Sequence, residues 1–284
     1  MDYAIELKGI TKQYNNFYLD NVSFAVPKGS IMGFVGENGA GKTTTIKSIL
    51  NLIHTNSGSI KVFGLDNKKD ERKIKELVGV VFDESYFHDN LTIKDISFIM
   101  SKIYTNWNET IFKHTVEKFK LPPDKIVKEY SRGMKMKLSI AVALSHNAKL
   151  LILDEATSGL DPIVRDEILD IFLEFIQDED HTILLSSHII SDLEKVADYV
   201  TFIHNGKIIL SESKDDLIYH YGVVRCKKDD YEKIDKRYIV GTRKGQFGYE
   251  VMVNNKKELE KQFRSLVIDN TSIEEIILFK VRGE

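Results

Sequence analysis

Three short apolar runs stand out along the chain, each bounded by polar residues or glycine. They occupy residues 31–35, 150–153 and 182–186. Runs of this length with few polar positions are typical of strands that are buried on both faces. The pattern therefore predicts three buried strands.

Helical spacing appears between these strands. Apolar residues after Gly41 recur at i, i+3, i+4 and i+7, which places them on one face of a helix. They are Ile46, Ile49, Leu50 and Ile53. A second helix is predicted to begin at Asp161-Pro162, because Asp is a favoured N-cap and Pro fits the first helical turn. Its apolar residues at helical spacing are Ile168, Phe172 and Phe175.

The rest of the chain divides into segments of different character. Residues 1–30 indicate short strands with turns, and residues 85–147 carry helical patterns interrupted by Pro122-Pro123, which predicts a helical insertion. Asn205-Gly206 predicts a type I′ turn in a hairpin over residues 199–210. We expect one domain over residues 1–215, with a helical subdomain at about 85–147, and a small α+β accessory domain over residues 216–284.

Composition narrows the class of protein. The formal net charge of −3 argues against a general nucleic-acid binder, which usually presents a basic face. Cys226 is the single cysteine, so an intrachain disulfide cannot form, as is usual in a reducing cytosol. The apolar runs are far shorter than the ~18–20 residues of a membrane span. If the protein works at a membrane, another chain must cross it.

The loop between the first buried strand and the first helix carries the clearest chemical signal. It matches G-x-x-x-x-G-K-[ST] at every fixed position, in the strand–loop–helix context that a phosphate-binding loop requires. Its residues are Gly36, Glu37, Asn38, Gly39, Ala40, Gly41, Lys42, Thr43 and Thr44. Glycines let backbone N–H groups turn inward to phosphate oxygens, and the helix N-terminus faces the same anion. We expect Lys42 to reach the β- and γ-phosphates and the Thr43 hydroxyl to bind Mg²⁺.

This loop alone does not separate ATP from GTP. The tetrapeptide at residues 67–70 spells N-K-x-D, which is the guanine-reading motif of GTPases. It lies only 25 residues after Lys42 and before the second carboxylate strand, where that motif does not belong. We interpret it as a solvated helix start within a charged run.

A second candidate site follows the strand at residues 150–153. Asp154 and Glu155 come directly after four apolar residues, so the strand can deliver Asp154 to the water shell of Mg²⁺. Glu155 can polarise an attacking water as a general base. A buried strand that simply ends in two surface acids would give the same pattern.

Three further motifs lie before and after Asp154 and Glu155 in the sequence. Ala156-Thr-Ser158-Gly159-Leu160-Asp161-Pro162 follows, Tyr130-Ser131-Arg132-Gly133-Met134 lies upstream, and Ser186-Ser187-His188 lies downstream. The ordered set over about residues 3–212 strongly resembles the nucleotide-binding subunits of ABC transporters, of the bacterial exporter type with a separate membrane subunit. The resemblance implies a P-loop NTPase fold with a RecA-like core and an antiparallel β subdomain.

The resemblance also implies roles for individual residues. Lys42, Thr43 and Asp154 would hold MgATP, and Glu155 would be the catalytic base. His188 is similar to the switch histidine that contacts the γ-phosphate, and Tyr14 looks like the aromatic residue that stacks on adenine. Residues 158–161, which end at Asp161, resemble the loop that crosses a dimer interface.

Two positions depart from the family pattern. The signature is commonly LSGGQ, whereas this chain has Tyr130-Ser-Arg-Gly-Met134. Ser131 and Gly133, which carry the contact to the γ-phosphate of the partner's ATP, remain. The Gln that many members place after a strand is replaced here by Asp83 or the adjacent Glu84. We expect Asp83 to bind Mg²⁺, since an acid also offers oxygen, although it adds negative charge.

The function implied by the resemblance is an ATP-hydrolysing transporter subunit. Cofactors would be ATP and Mg²⁺, and a homodimer or a pair with a paralogous ATPase subunit would sandwich two ATP molecules. An integral membrane permease would bind near residues 85–105, on the cytoplasmic face of the membrane, and export an antibiotic, peptide or lipid-like substrate.

The alternative is a soluble ABC ATPase that acts on ribosomes or nucleic acid. Against it stand the single motif set, the absence of sustained heptads and the acidic charge balance. A P-loop kinase would lack the signature and the switch histidine.

Overall fold

The computed structural model describes residues 2–84, 86–245, 248–262 and 267–283. The strands are β1 (Tyr3–Gln13), β2 (Tyr18–Pro27), β3 (Ile31–Val35), β4 (Ser57–Val62), β5 (Leu65–Asp66), β6 (Val78–Val81), β7 (Leu150–Asp154), β8 (Thr182–Ser187), β9 (Tyr199–His204), β10 (Lys207–Ser213), β11 (Gly222–Cys226), β12 (Ile239–Lys244), β13 (Tyr249–Val253) and β14 (Ile268–Asp269). The helices are α1 (Lys42–Ile49), α2 (Glu71–Leu77), α3 (Ile93–Ile103), α4 (Glu109–Lys118), α5 (Arg132–Leu144), α6 (Pro162–Phe175), α7 (Ile190–Val196), α8 (Lys214–His220), α9 (Lys228–Tyr231), α10 (Lys256–Gln262) and α11 (Ile273–Arg282).

A six-stranded sheet of order β10-β9-β3-β8-β7-β6 forms the centre of the molecule. All of its neighbours pair in parallel except β10, which is antiparallel to β9. Every residue of β3, β7 and β8 is buried, which confirms the three strands predicted from the apolar runs. Because parallel strands end at the same edge, the loops after β3, β7 and β8 lie together.

The amino-terminal sheet differs from expectation. Its order is β2-β1-β4-β5, and β1 and β2 are 11 and 10 residues long, so the prediction of short strands was wrong. The register between β1 and β2 shifts at three places, including the stretch between Leu7 and Ile10. Each shift breaks the alternation of apolar and polar positions, so one long strand resembles several short ones in the sequence.

Helices dominate the part of the chain that was predicted as a helical insertion. The described residues between β6 and β7 form α3, α4, α5 and a 3₁₀ turn at Val127–Glu129. A capping box between Thr92 and Asp95 starts α3. The α/β fold class with its helical insertion is therefore confirmed. The proposed division into domains at residue 215 stays a prediction.

Two local predictions, a hairpin turn and the length of the first helix, had different outcomes. The β9–β10 hairpin has its turn at Asn205 and Gly206, whose φ angles of 47° and 74° fit the predicted type I′ turn. The predicted helix face after Gly41 was too long, because α1 ends at Ile49 and the left-handed Asn51 turns the chain before Ile53.

The interpretation of residues 67–70 as a solvated helix start was wrong for Asn67. Its side chain is buried and donates hydrogen bonds to the carbonyl oxygens of Ser48 (2.8 Å) and Ile49 (3.2 Å). Glu71 is the first residue of α2. Asn67 therefore satisfies carbonyl groups at the end of α1.

The carboxyl-terminal residues form a third sheet of order β12-β13-β11-β14. Helix α11 also packs beside the central sheet: Ile276 and Phe279 belong to the same buried cluster as Leu193 of α7 and Phe202 of β9. The amide of Ile273 donates to the Glu194 carboxylate at 3.0 Å, which ties the start of α11 to α7. In the described parts of the chain, we find no helix with the length and apolar character of a membrane span.

Candidate active site

A cleft of about 670 Å³ opens where β3, β6 and β7 end. Its volume lies within the range of about 300–1,000 Å³ that is usual for small-molecule sites. The lining residues come from the loop after β1, the phosphate loop, the start of α1 and the ends of β6 and β7. They are Tyr14, Asn16, Phe17, Asn38, Gly39, Gly41, Lys42, Thr43, Thr44, Asp83 and Glu155.

The phosphate loop needs its glycines for steric reasons. Gly41 has φ of 117°, and a Cβ atom there would lie 2.7 Å from Leu19 and 2.9 Å from Phe17. A Cβ atom on Gly36 would lie 2.6 Å from the carbonyl oxygen of Ile203. The loop therefore follows a path that side chains would block, and Gly41 leads directly into the N-terminus of α1, where an anion is favoured.

Lys42 is buried and folds back over this loop. Its Nζ donates to the carbonyl oxygens of Gly36 at 2.7 Å and Glu37 at 3.3 Å. It also lies 3.1 Å from Oε1 of Glu155, and only 5% of the Lys42 side chain is exposed. The phosphate loop thus holds the Lys42 ammonium group at the cleft.

Glu155 links three elements of the site. Its Oε2 lies 2.7 Å from Nδ1 of His188, while its Oε1 faces Lys42. The residue has φ of 55°, in the left-handed region that non-glycine residues rarely adopt. This backbone turn directly after β7 directs the carboxylate into the cleft instead of along the sheet.

Asp154 lies deeper than Glu155. Burial raises the pKa of its carboxyl group, and the charges of Glu155 and Asp83 act in the same direction. Hydrogen bonds from Ser186 and Thr43 oppose that rise. A buried carboxylate with two further acids nearby and a hydroxyl group beside it is an environment that a hard cation would stabilise.

Ser186 contacts both Asp154 and Glu155, a role that was not predicted from the sequence. Its Oγ donates to Oδ1 of Asp154 at 2.6 Å and accepts the amide of Glu155 at 3.1 Å. The sequence did mark this position, because Ser186 belongs to the Ser186-Ser187-His188 motif. Its role depends on the pairing of Asp154 with Ser186 between β7 and β8, and that register is a property of the sheet.

Tyr14 lies at the edge of the cleft with 44% of its surface exposed, and the Nζ of Lys12 is 5.1 Å from its ring centre. Asn16 and Phe17, which also line the cleft, were missed. The amide of Tyr14 donates to the carbonyl oxygen of Phe17 at 2.8 Å, and this tight turn brings both residues to the site.

Asp83 lines the cleft and Glu84 does not. Of the phosphate loop, Gly36, Glu37 and Ala40 do not line the cleft either; Gly36 and Glu37 border a neighbouring cleft together with His188.

The signature residues are not among those that line the cleft. Ser131 caps α5 by accepting the amide of Met134 at 3.2 Å, and Asp161 caps α6 by accepting that of Val164 at 3.1 Å. A Cβ atom on Gly133 would lie 3.2 Å from Val164, so the beginnings of these two helices lie close together. Within one chain, Ser131, Gly133 and Asp161 do not line the cleft that holds Lys42.

Fold and site together define a P-loop NTPase, since a glycine loop joins a central parallel strand to a helix and a neighbouring strand supplies buried acids. Residues 19–158 match the family model described as ABC transporter. The chain is 35% identical over 212 residues to the bacitracin transport ATP-binding protein BcrA of Enterococcus faecalis, which covers 74% of this chain and 69% of that protein. It is 37% identical over 215 residues to the lantibiotic transport ATP-binding protein SrtF of Streptococcus pyogenes, covering 74% and 91%.

A solved structure of the ATP-binding subunit of an ABC transporter superimposes with a TM-score of 0.69 and 26% identity, over 75% of this chain and 91% of that one. The chain therefore belongs to the ABC transporter family, as one of its ATP-binding and ATP-hydrolysing subunits. The predicted family, fold class and enzymatic activity are confirmed.

Proposed function

We propose that this subunit drives export through a separate membrane permease, and that Glu155 is the base of its ATPase reaction. The observation that supports the base assignment is the position of the Glu155 carboxylate between Lys42 (3.1 Å) and His188 (2.7 Å) at the cleft. A γ-phosphate would compete with Glu155 for the Lys42 ammonium group. The freed carboxylate could then accept a proton from the attacking water, while His188 contacts the phosphate.

Mg²⁺ fits the donor set of the cleft. Thr43, Asp83 and Asp154 offer only oxygen atoms, which this ion prefers, and Asp154 is buried beside other acids. When bound, Mg²⁺ would neutralise phosphate charge and orient the nucleotide. On this proposal Ser186 keeps Asp154 oriented, and Tyr14 stacks on adenine at the rim.

The proposed dimer is supported by the positions of the two motif sets. Ser131, Gly133 and Asp161 do not line the cleft of their own chain, yet their helix starts favour an anion. We propose that they complete the phosphate site of a second copy, or of a paralogous ATPase subunit. ATP would then close the dimer because it contacts both chains, and hydrolysis would release it.

The proposed permease contact is supported by exposed apolar side chains on α3. Phe98 and Ile103 are 67% and 59% exposed, although large apolar side chains on a helix normally face the core. Ile103 also lines a largely apolar groove of about 590 Å³ between α2 and the end of α3, together with Leu52 and Phe82. A cytoplasmic segment of a permease, with apolar and charged residues in alternation, would suit this groove and place the chain on the cytoplasmic face of the membrane.

The substrate class is proposed from the relatives, whose names refer to bacitracin and lantibiotic transport. An antibiotic, a peptide or a lipid-like molecule is therefore the expected cargo. The alternative, a soluble ATPase that acts on ribosomes or nucleic acid, finds little support in a formal net charge of −3.

Affinity capture of the tagged chain from detergent-solubilised membranes of its own cells tests the proposed partner. We expect a multi-span membrane protein to be captured in comparable amount. The double change Phe98→Ser and Ile103→Ser should reduce that capture at least about ten-fold, by removal of apolar contacts, while ATPase activity in solution stays unchanged. The matched control changes Ile111 and Ile218 to Ser, which are 42% and 44% exposed on other surfaces. Capture of ribosomes instead, or equal capture by both double variants, would contradict the proposal.

A further inference from the structure

A second cleft, of about 290 Å³, is bordered by the phosphate loop on one side and by α11 on the other. Ile277, Leu278 and Val281 form an apolar wall from one side of α11. Glu37 and His188 border the opposite side. Helix α11 lies within residues 216–284, the predicted accessory domain, which is called the accessory segment below, and outside residues 19–158, the part that matches the family model. We call this second cleft the α11 cleft.

Two acids lie at the rim of the α11 cleft. The Glu37 side chain is 63% exposed, and one of its oxygens lies 4.0 Å from Nδ1 of His204. Glu274, in the first turn of α11, is exposed and has no ion pair within the described parts of the chain. Arg282 lies at the other end of the cleft. The cleft thus combines an apolar wall with an acidic end and a basic end.

A complementary surface lies elsewhere on the same chain. Ile163, in the first turn of α6, is 73% exposed. Arg132, in the first turn of α5, is also exposed, and the described residues offer it no carboxylate partner. An unpaired cation at a helix N-terminus is electrostatically unfavourable, so Arg132 would gain from an acid supplied by another molecule.

Arg132 and Ile163 lie on neighbouring helix starts. The guanidinium group lies over Gly159, where a Cβ atom would be 2.5 Å from Nη1 of Arg132. A Cβ atom on Gly133 would lie 3.2 Å from Val164, so the next residues along the two helices lie close together. One cation and one exposed aliphatic side chain are therefore presented together, beside Ser131 and Asp161.

We infer that Arg132 and Ile163 of one copy dock on the α11 cleft of a second copy, with Ile163 against the apolar wall and Arg132 at Glu274. The inference rests on the proposed dimer, in which Ser131 and Asp161 cross to the partner's phosphate loop. Because that loop borders the α11 cleft, the two helix starts arrive beside it. A two-fold axis makes the contact twice, so α11 becomes part of the ATP-dependent interface.

The experiment exchanges charges between chains. All variants carry Glu155→Gln, which slows turnover, and dimer dissociation constants are measured with excess MgATP by sedimentation. Arg132→Glu and Glu274→Lys should each weaken the dimer at least about ten-fold, because like charges then meet at both contacts. An equimolar mixture of the two single variants should recover to within about three-fold of the parent. In that heterodimer, one contact keeps the original pair of charges and the other has the two charges exchanged, so both contacts are attractive.

Ile163→Ser should also weaken the dimer, and Val267→Ser, at a site of 74% exposure, serves as its matched control. Lys236→Glu, an exposed cation of the accessory segment, controls for the change in net charge. The inference is overturned if the single variants dimerise like the parent, or if their mixture dimerises no better than either alone. A parent protein that stays monomeric with MgATP would instead overturn the proposed dimer itself.

Discussion

At the scale of single residues, the site depends on how Glu155 is held. The orientation of the Glu155 carboxylate is fixed by its left-handed backbone, by the hydrogen bond from its amide to Ser186 and by its two basic partners. A positioned base typically contributes about 10²–10⁴-fold to a rate. The arrangement is consistent with a residue whose task is proton transfer and whose place must be fixed in advance.

Glu155→Gln should bind ATP but lose about 10²–10⁴-fold in turnover, because the amide keeps the shape of the carboxylate and cannot accept the proton. Phosphate release and equilibrium ATP binding measure the two effects separately. Glu232→Gln, an exposed change on the accessory segment, is the control. Near-normal turnover of Glu155→Gln would exclude it as the base.

Residues of the site differed in how well the sequence predicted them. Lys42 is the first residue of α1 and Asp154 the last residue of β7, so a short motif next to a regular element identified each of them as a candidate. Ser186 and Phe17 reach the site through sheet register and through a turn, which short motifs do not encode. The roles given to Tyr14 and Asp83 stay predictions, although both line the cleft.

At the scale of elements, helix α5 and strand β6 meet around a buried histidine. His146 is fully buried, with Nδ1 3.3 Å from the carbonyl oxygen of Val142 and Nε2 3.2 Å from that of Val78. Burial lowers the pKa of the His146 imidazole, and this effect outweighs the two carbonyl oxygens, which favour the charged form. The ring also stacks on Tyr104 at 3.9 Å.

The free energy of unfolding should therefore depend on pH through His146. The folded-state pKa is lowered, so the contribution is complete above the unfolded value of about 6.5 and is lost as the pH falls towards the folded value. Thermal unfolding of nucleotide-free protein should show a smaller decrease below about pH 6.5 in His146→Gln than in the parent. His114→Gln, on an exposed face of α4, should leave the slope unchanged. An equal slope in all three proteins would contradict this role of His146.

Strands and helices were predictable where burial is uniform. Both faces of β3, β7 and β8 are covered, so an unbroken apolar run was a reliable sign. The long β1 and β2 have one polar side and shifted register, which hid their length. Ile53 fitted the helical period of α1, but Asn51 had already ended the helix.

At the scale of the whole molecule, two relationships could not be obtained from the sequence. One is the packing of α11 into the core beside α7, since the apolar face of a helix does not name the surface that it covers. The other is that the signature residues do not line the cleft of their own chain, which is a property of the folded molecule. Together they give the ATPase site its proposed dependence on a second copy.

The central claim is that each phosphate site is half of a site, and mixing two inactive variants tests it most directly. Lys42→Ala removes the phosphate contact, while Ser131→Asp keeps an N-cap for α5 but places a negative charge where the partner's phosphate would lie. Each variant alone should hydrolyse almost no ATP.

In an equimolar mixture, about half of the dimers are mixed, and each mixed dimer has one intact site out of two. Phosphate release should therefore recover to about a quarter of the unmodified activity. A mixture that hydrolyses no more ATP than the average of the two variants alone would contradict the claim.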